Sequence, residues 1–375
     1  MSHELIEQYD AWLKVDGPAA LVIREHLVPV EGPDGVVFPA TFAAGDGFEG
    51  GYNIDRFPDG SNVCLIDTVG SQANRIEPLF ATECYAGLVP QIVIKAGDKR
   101  VNLLEAGHRA GDAIVRCSAL QEELRAAFQA VQHGDCGPLA KIAPTSIVFG
   151  AWDSRDTQAK LPRLVASTIR AFNVRELTRS AQYCPPVDYA ALEVFSEEDR
   201  AKAEGDKKNP LAKRGFVHVP ATGTHGGVIA TGGIRREATF HLAALRMLSA
   251  AGGPETADAL RRYILGLALT ALTHVPAGYL RQGCHVVLDP DKPREFKMVY
   301  ADGHREDVTV THQEALAFAQ AAATMFGLDP GRMIDFQTAP DREVEFETER
   351  AKKDVSGDTD AGGKRARKAS AKQQK

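Results

Sequence analysis

Strand-like and helical stretches follow one another in this chain without strict alternation, and this order limits the fold more than any other feature. Residues 19–30 (AALVIREHLVPV) and 62–69 (NVCLIDTV) are apolar runs of the strand type. Residues 255–274 carry a long helical pattern. A doubly wound parallel sheet would need a helix after nearly every strand. The sequence therefore favours an α+β fold.

Three further stretches lead to local expectations. Residues 145–154 (TSIVFGAWDS) are predicted to form a strand. Residues 164–178 are ambiguous, but their β-branched side chains also favour a strand. Residues 196–214 are polar, charged and nearly devoid of apolar anchors, so they are predicted to form a mobile loop.

The composition is that of a globular protein with generous loops. Of the 375 residues, 44% are hydrophobic and 25% are charged. No run of about 18 apolar residues is present, which excludes a transmembrane helix. The first residues lack the basic-then-apolar order of a secretory signal. We therefore expect a cytoplasmic protein without a membrane partner.

The cysteines and histidines do not indicate a metal site. The six cysteines are scattered without a CxxC pair, and the eleven histidines are dispersed along the chain. Metal clusters need close ligand spacing, and disulfide frameworks suit small secreted domains. We expect reduced, mostly buried thiols and no metal or cofactor.

Charge is distributed unevenly along the chain, whose net charge is −6. Residues 1–60 hold eleven acidic and three basic residues, which gives −8, whereas residues 151–180 hold six basic and three acidic residues, which gives +3. Residues 361–375 hold six basic residues and no acidic one. Such regions can bind a polyanion locally and meet other copies head to tail, or they are ordinary solvated faces.

A polar cluster follows the second strand-like run, in the segment LIDTVGSQANRIEPLF (65–80). Its candidate binding residues are Ser71, Gln72, Asn74 and Arg75. Either Ser71 caps a helix and its neighbours are exposed, or the strand–helix junction directs backbone N–H groups and Arg75 at a phosphate. The second alternative suits RNA, because hydroxyl and amide groups also contact ribose and base edges.

A second segment, FGAWDSRDTQAKLPRL (149–164), repeats this chemistry. Trp152 either stacks on a base or packs at the end of a strand. The polar candidates that follow it are Ser154, Arg155, Lys160 and Arg163. Two such segments in one chain are a stronger indication of RNA binding than either one alone.

A third segment, ATGTHGGVIATGGIRR (221–236), is rich in glycine and matches neither the GxxxxGK[ST] loop nor the GxGxxG fingerprint. It is either a backbone clamp on a sugar-phosphate chain or a flexible hairpin. Its candidate residues are Thr224, His225, Arg235 and Arg236. Asp67 and His225 could serve as general bases, but neither has an evident partner in the sequence.

Three motifs together strongly resemble the backbone subunit of the type I-U (I-G) CRISPR Cascade complex, in the Cas-seven group of Csb-family RAMP proteins. They are YNIDRFPDGSNVCLIDTVGSQANRIEPLF, IAPTSIVFGAWDSRDTQAKLPRL and GGIRREATFHLAALR, and the resemblance spans about residues 15–330. It implies a modified RRM/ferredoxin-like RAMP palm with large insertions and a thumb hairpin. On this basis residues 1–345 would form a single domain, with a loop at 31–60 and a candidate thumb at 185–232. Residues 346–375 would form a disordered basic tail.

The resemblance also implies a function. Several copies would form a helical filament along the CRISPR RNA, together with other Cascade subunits, and would present the guide for pairing with target DNA in antiviral defence. Ser71, Gln72 and Arg75 are similar to a Ser-Gln-x-x-(Lys/Arg) element that contacts the guide in related subunits. Such a protein is not an enzyme. The alternative is a RAMP-superfamily endoribonuclease that processes guide RNA or cuts target RNA, with Asp67 or His225 as its base.

Overall fold

The structure, a computed structural model, describes residues 2–331 and 340–356. The helices are α1 (Ser2–Leu13), α2 (Val69–Ile76), α3 (Ala113–Arg116), α4 (Gln121–Gln132), α5 (Gly137–Ile142), α6 (Pro144–Phe149), α7 (Glu197–Ala203), α8 (Pro210–Lys213), α9 (Leu242–Arg246), α10 (Pro254–Thr273), α11 (His312–Met325) and α12 (Thr348–Ser356). Short 3₁₀ helices span Glu77–Ala81, Ala86–Leu88, Leu103–Glu105 and Arg109–Gly111.

The strands vary widely in length. They are β1 (Ala20–Pro29), β2 (Val36–Val37), β3 (Thr41–Phe42), β4 (Gly51–Tyr52), β5 (Ile54–Arg56), β6 (Asn62–Asp67), β7 (Ile92–Ala96), β8 (Lys99–Asn102), β9 (Ala151–Trp152), β10 (Lys160–Leu161), β11 (Val165–Phe172), β12 (Val174–Tyr183), β13 (Val219–Ala230), β14 (Ile234–Phe240), β15 (Tyr279–Arg281), β16 (Cys284–Leu288), β17 (Glu295–Val299), β18 (Arg305–Asp307) and β19 (Arg342–Glu345).

The central antiparallel sheet has the ferredoxin-like strand order. β1 lies between β17 and β14, and β14 in turn pairs with β11. In chain order these are the fourth, first, third and second strands of a βαββαβ unit, with α10 connecting the third to the fourth. β6 and β5 extend the sheet beyond β11. The topology confirms the predicted α+β class and its RRM/ferredoxin-like palm.

Side chains alternate along these strands between a helix-covered face and an open face. On β1, Leu21 and Ile23 are buried in the main core, whereas Arg24 and His26 are half-buried on the other face. β14 and β11 show the same alternation of buried and half-buried residues. Because successive side chains of a strand point to opposite faces, one face builds the core and the other stays accessible.

The core is closely packed where α10 crosses α11. The α11 residues at this contact are small and fully buried, and they include Ala315, Ala319, Ala322 and Ala323. A Cβ added at Gly266 would lie 2.7 Å from the Ala319 Cα. Gly266 therefore sets how closely the two helices approach, and through them how α10 lies on the sheet.

A two-stranded ribbon, β12 paired with β13, continues from β11 and β14. Asn173, in a left-handed conformation at φ 49°, separates β11 from β12. The predicted thumb at 185–232 covers β13 and the ribbon's tip but omits β12, so the hairpin begins earlier than expected. Its role as a thumb stays a prediction.

Two local predictions were wrong. Residues 196–214 do not form a loop: they contain α7 and α8, which pack around a small cluster of Ala203, Ala212 and Val217. Residues 145–154 do not form a strand either. Their apolar residues belong to α6, which is buried on all sides, and only Ala151–Trp152 is extended. A short apolar run that is buried all round has no periodicity to separate helix from strand.

The insertions are more ordered than the sequence suggests. Residues 31–60 contain β2 to β5, and the Tyr52 hydroxyl accepts a hydrogen bond from the Gly227 N–H at 3.0 Å. The predicted disordered tail at 346–375 begins with a helix, α12, whereas residues 357–375 lie outside the described residues. No helix among the residues described is long and apolar enough to cross a membrane.

We predict that Gly266→Val destabilises the fold by about 1–3 kcal/mol, the typical cost of overpacking a core, because its side chain would collide with α11. Gly45→Val is the matched control, since Gly45 is exposed and nothing lies within 4 Å of a Cβ built there. Urea unfolding of both variants measures the effect. Equal unfolding midpoints would contradict the assigned contact between α10 and α11.

Candidate nucleic-acid interface

The polar cluster of the segment 65–80 lies on α2, and Thr68 caps that helix instead of Ser71. The Thr68 hydroxyl accepts the Ser71 N–H at 3.1 Å, and the backbone of Thr68 is extended as an N-cap requires. The helix therefore begins at Val69, earlier than a Ser71 cap would allow. Ser71 is half-buried in the first turn.

Gln72 is part of the core and does not face solvent. Its amide Nε2 donates to Asp67 Oδ2 at 2.7 Å, and its carbonyl Oε1 accepts from the Ser167 hydroxyl at 3.1 Å. Only 4% of the residue is exposed. The predicted RNA contact by Gln72 does not fit this position, where the side chain connects α2 to β6 and β11.

Arg75 is partly exposed but already has an ionic partner. Its Nε lies 3.1 Å from Asp67 Oδ2, while Arg281 lies 2.8 Å from the other oxygen of the same carboxylate. Asp67 is 1% exposed. With Gln72, three side chains hold this carboxylate, whose single negative charge is shared between Arg75 and Arg281.

Next to α2 lies a cleft of about 770 Å³, here called cleft A. It collects most of the remaining candidates from two segments that are far apart in the sequence. The predicted residues that line it are Asn74, Trp152, Ser154, Arg155, Lys160 and Arg163. It is also lined by residues that the sequence did not single out, which include Gly70, His108, Arg109, Arg116 and Gly150.

Cleft A is electropositive because its cations outnumber their counter-ions. None of the described Asp or Glu residues lines it. Arg109 is paired with Glu77 at 2.6 Å and Arg116 with Asp354 at 2.6 Å. The remaining Arg and Lys residues of the lining, Arg155, Lys160 and Arg163, have no ion-pair partner within residues 2–331 and 340–356. A lining of this kind attracts a polyanion.

An exposed aromatic ring lies among these cations. β9 and β10 pair so that Lys160 is directly opposite Trp152, and the Lys160 Nζ lies 5.7 Å from the Trp152 ring centre. Trp152 is 56% exposed and is therefore not buried in the core. An accessible indole beside a free ammonium group can stack on a base while the cation contacts phosphate.

A buried ion pair supports the floor of cleft A. Arg109, at φ 56°, places its guanidinium against Glu77 and donates to Asn74 Oδ1 at 3.0 Å and to the Gly150 carbonyl at 3.4 Å. Burial raises the pKa of Glu77 to about 7, against the lowering effect of Arg109. The pair therefore orients Asn74. The sequence analysis did not single out Arg109. The only sequence signal near it is the two flanking glycines, Gly107 and Gly111, which suggest close packing.

A second cleft of about 760 Å³, cleft B, lies on the other side of α2. Its walls are largely apolar, and Gln72, Arg75 and Arg236 also line it. Asn74 lines both clefts. The Ser71–Arg75 segment is thus a ridge between two clefts.

The glycine-rich segment does not join cleft A. Thr224 and His225 both lie on β13 of the ribbon. The Thr224 hydroxyl donates to the Arg179 carbonyl at 2.8 Å, and the His225 ring centre lies 4.7 Å from the ring centre of Tyr52. Arg236 is 2% exposed and ion-paired with Glu25 in the core, which does not fit its predicted RNA contact. Arg235 lies on the open face of the sheet.

The described residues contain no cluster of His, Cys, Asp or Glu that could hold a metal ion. All six cysteines are free, and four of them are buried. Asp67 is held by three donors, and His225 has no carboxylate neighbour among the interactions of the described part of the chain.

We predict that Glu77 gives the fold a specific pH dependence. Its folded pKa of about 7 lies above the ordinary value of 4.5, so the folded state binds a proton more tightly than the unfolded state. The resulting stability is fully present below about pH 4.5 and is lost as the pH rises through about 7. Glu77→Gln removes this contribution, so urea unfolding at pH 5 and pH 8 should show a smaller loss of stability for the variant. Parallel pH profiles would contradict the assignment.

Comparisons with a family model and with solved structures each gave a match. Residues 21–176 match the family model described as "CRISPR-associated protein GSU0053", which is fewer than half of the 375 residues. No protein of the curated set matches the chain. Among solved structures, a chain described as "CRISPR RNA-guided surveillance complex, pre-nicking" is similar, with 10% identity and a TM-score of 0.33 over 90% of this chain and 99% of that chain.

Two of the three motifs that carry the sequence resemblance lie inside the matched range, together with α2, β9, β10 and most candidates of cleft A. The family match therefore confirms the recognition made from those motifs. The chain is therefore similar over residues 21–176 to the CRISPR-associated GSU0053 family.

Proposed function

We propose that the chain is a non-catalytic backbone subunit of a type I-U/I-G Cascade complex and that it binds CRISPR RNA in cleft A. One observation carries the proposal: two distant polar segments meet in one cleft that holds free cations, an exposed indole and, among the residues described, no acidic side chain. Family membership supports a CRISPR role. The side chains of cleft A support RNA as the ligand.

The chemistry of cleft A suits a guide of any sequence. Arg155, Lys160 and Arg163 offer charge to phosphates, while Ser154 and Asn74 offer hydroxyl and amide groups to ribose or base edges. Phosphate contacts supply affinity without reading sequence. Trp152 can stack on any base, because every base has a π-face. The guide would remain free to select target DNA by base pairing.

The assembly follows from the same proposal. Several copies would lie along one guide in a cytoplasmic ribonucleoprotein, with other Cascade subunits at its ends, and would present the guide to target DNA in antiviral defence. The ribbon of β12 and β13 is long, β12 is mostly exposed, and the segment between the two strands carries its own small core, as a thumb that reaches beyond its own palm would require.

The endoribonuclease alternative has less support. A general base needs a free lone pair within reach of its substrate. The Asp67 carboxylate is buried and accepts from Gln72, Arg75 and Arg281. His225 lies on the exposed ribbon against Tyr52, away from the residues that line cleft A. We therefore propose that the protein holds RNA without cutting it.

Replacing Arg155 and Lys160 together with Gln should weaken binding of unrelated guide RNAs by about a hundredfold or more, since each of the two lost hydrogen bonds to a charged group contributes about 1.5–3 kcal/mol. The slope of log affinity against log salt should fall by about 1.4, because each phosphate that is no longer neutralised accounts for about 0.7. Fluorescence anisotropy across a salt titration measures both quantities. Arg75→Ala should have a smaller effect, because Arg75 is ion-paired with Asp67 and does not line cleft A.

Lys292→Gln is the charge control, since Lys292 is exposed and paired with Asp289 at 3.0 Å, and Lys292 does not line cleft A. If the cleft variant bound as tightly as this control at every salt concentration, cleft A would not be the RNA site.

The lack of catalysis is tested separately. Purified protein incubated with CRISPR repeat RNA, and with RNA complementary to a bound guide, should leave both RNAs intact. Defined cleavage products that disappear in Asp67→Ala or His225→Ala would establish the endoribonuclease alternative instead.

A further inference from the structure

The open face of the central sheet carries a row of basic side chains that cleft A does not use. In the registers of β1, β14 and β11, His26 is directly opposite Arg235, and Arg235 is directly opposite Arg170. All of them are half-buried positions in strands whose alternate residues face the core. Neighbouring strands are about 4.8 Å apart, so the two arginine side chains leave the sheet next to each other. Arg170 leans towards Thr168 and Arg235 towards Phe172, so their guanidinium groups are spread along the strand direction.

The next row on the same face is electrically balanced. Arg24 is directly opposite Glu237 and lies 3.4 Å from it, and Glu295 approaches both Arg24 and His26. Further along this face, Lys297 is paired with Asp307 at 2.5 Å. The sheet therefore places a carboxylate beside each of these other cations.

Arg170 and Arg235 differ from their neighbours in this respect. Neither forms an ion pair with a carboxylate of the described chain, and Arg170 donates only to the Thr168 hydroxyl, at 2.7 Å. Like charges directly opposite one another on a sheet are destabilising. A folded protein that keeps such a pair without a counter-ion is suited to receive an anion from outside.

Arg235 is also held in place for such a ligand. Its guanidinium lies over the ring of Phe172 at 3.9 Å from the ring centre. An arginine that is stacked on an aromatic ring loses little further freedom when it binds an anion.

We propose that Arg170 and Arg235 form a second binding site for the phosphodiester backbone of a nucleic-acid strand, on the open face of the sheet and separate from cleft A. A nucleic-acid strand carries repeated, closely spaced negative charges. Two arginines on one face of the sheet therefore match such a strand better than they match a single carboxylate. The choice of nucleic acid as ligand rests on the proposed function. The guide itself or the target DNA could supply the strand.

The test compares Arg170→Gln, Arg235→Gln and the double variant with Lys297→Gln. The control removes the same charge from the same face, but at a cation that is already paired. One arm measures the affinity of single-stranded guide RNA by anisotropy over a salt titration. The other measures binding of complementary single-stranded DNA to the guide-loaded protein. Arg170→Gln leaves the stack of Arg235 on Phe172 intact, and thermal unfolding of all variants checks the fold.

Each arginine variant should lose about fivefold in affinity and about 0.7 in the salt slope, whereas the control should change little. A loss in the RNA arm assigns the site to the guide, and a loss confined to the DNA arm assigns it to the target strand. If both arginine variants matched Lys297→Gln in both arms, the second site would be refuted.

The outcome separates the two proposals. Weak binding by the cleft A variants with no effect of Arg170 or Arg235 would leave the proposed function standing and overturn this inference. The reverse result would move the nucleic-acid site from cleft A to the open face.

Discussion

The architecture of the candidate interface depends on one buried carboxylate. Asp67 lies at the end of β6 and accepts hydrogen bonds from Gln72 and Arg75 of α2 and from Arg281 of β15. These contacts hold α2 against the edge of the sheet, so that its exposed ridge separates cleft A from cleft B. A buried carboxylate with three donors is stable only while all of them stay in place, because removing a partner would leave charge unpaired.

The polar residues of α2 consequently have two different roles. Gln72 and the Nε of Arg75 complete the anchor, whereas Asn74 turns outward and is oriented by Arg109. The hydroxyl, amide and guanidinium groups that occur together in the sequence are therefore divided between support and surface. The resemblance to a Ser-Gln-x-x-(Lys/Arg) element identifies the segment correctly, but it does not separate these roles.

Charge compensation distinguishes structural cations from those available for a ligand. Arg109, Arg116 and Arg236 each lie against a carboxylate of the protein and are held there as structural residues. Arg155, Lys160 and Arg163 in cleft A, and Arg170 and Arg235 on the open face, lack such partners in the part of the chain that the structure describes. Composition alone, with a net charge of −6, conceals this local surplus.

The sequence by itself determined the α+β class, the strands β1 and β6 and the helix α10, because their hydrophobic patterns are local and strong. It also showed that residues 152–163 carry several polar and basic side chains, and its motifs pointed to the CRISPR-associated family whose model residues 21–176 match. Only the tertiary structure decided that α6 is helical, that Gln72 and Arg236 are buried, and that Arg109 supports the cleft. Those outcomes depend on partners that are distant in the chain, such as Glu25 for Arg236 and Glu77 for Arg109, and no local pattern encodes which distant charges will meet.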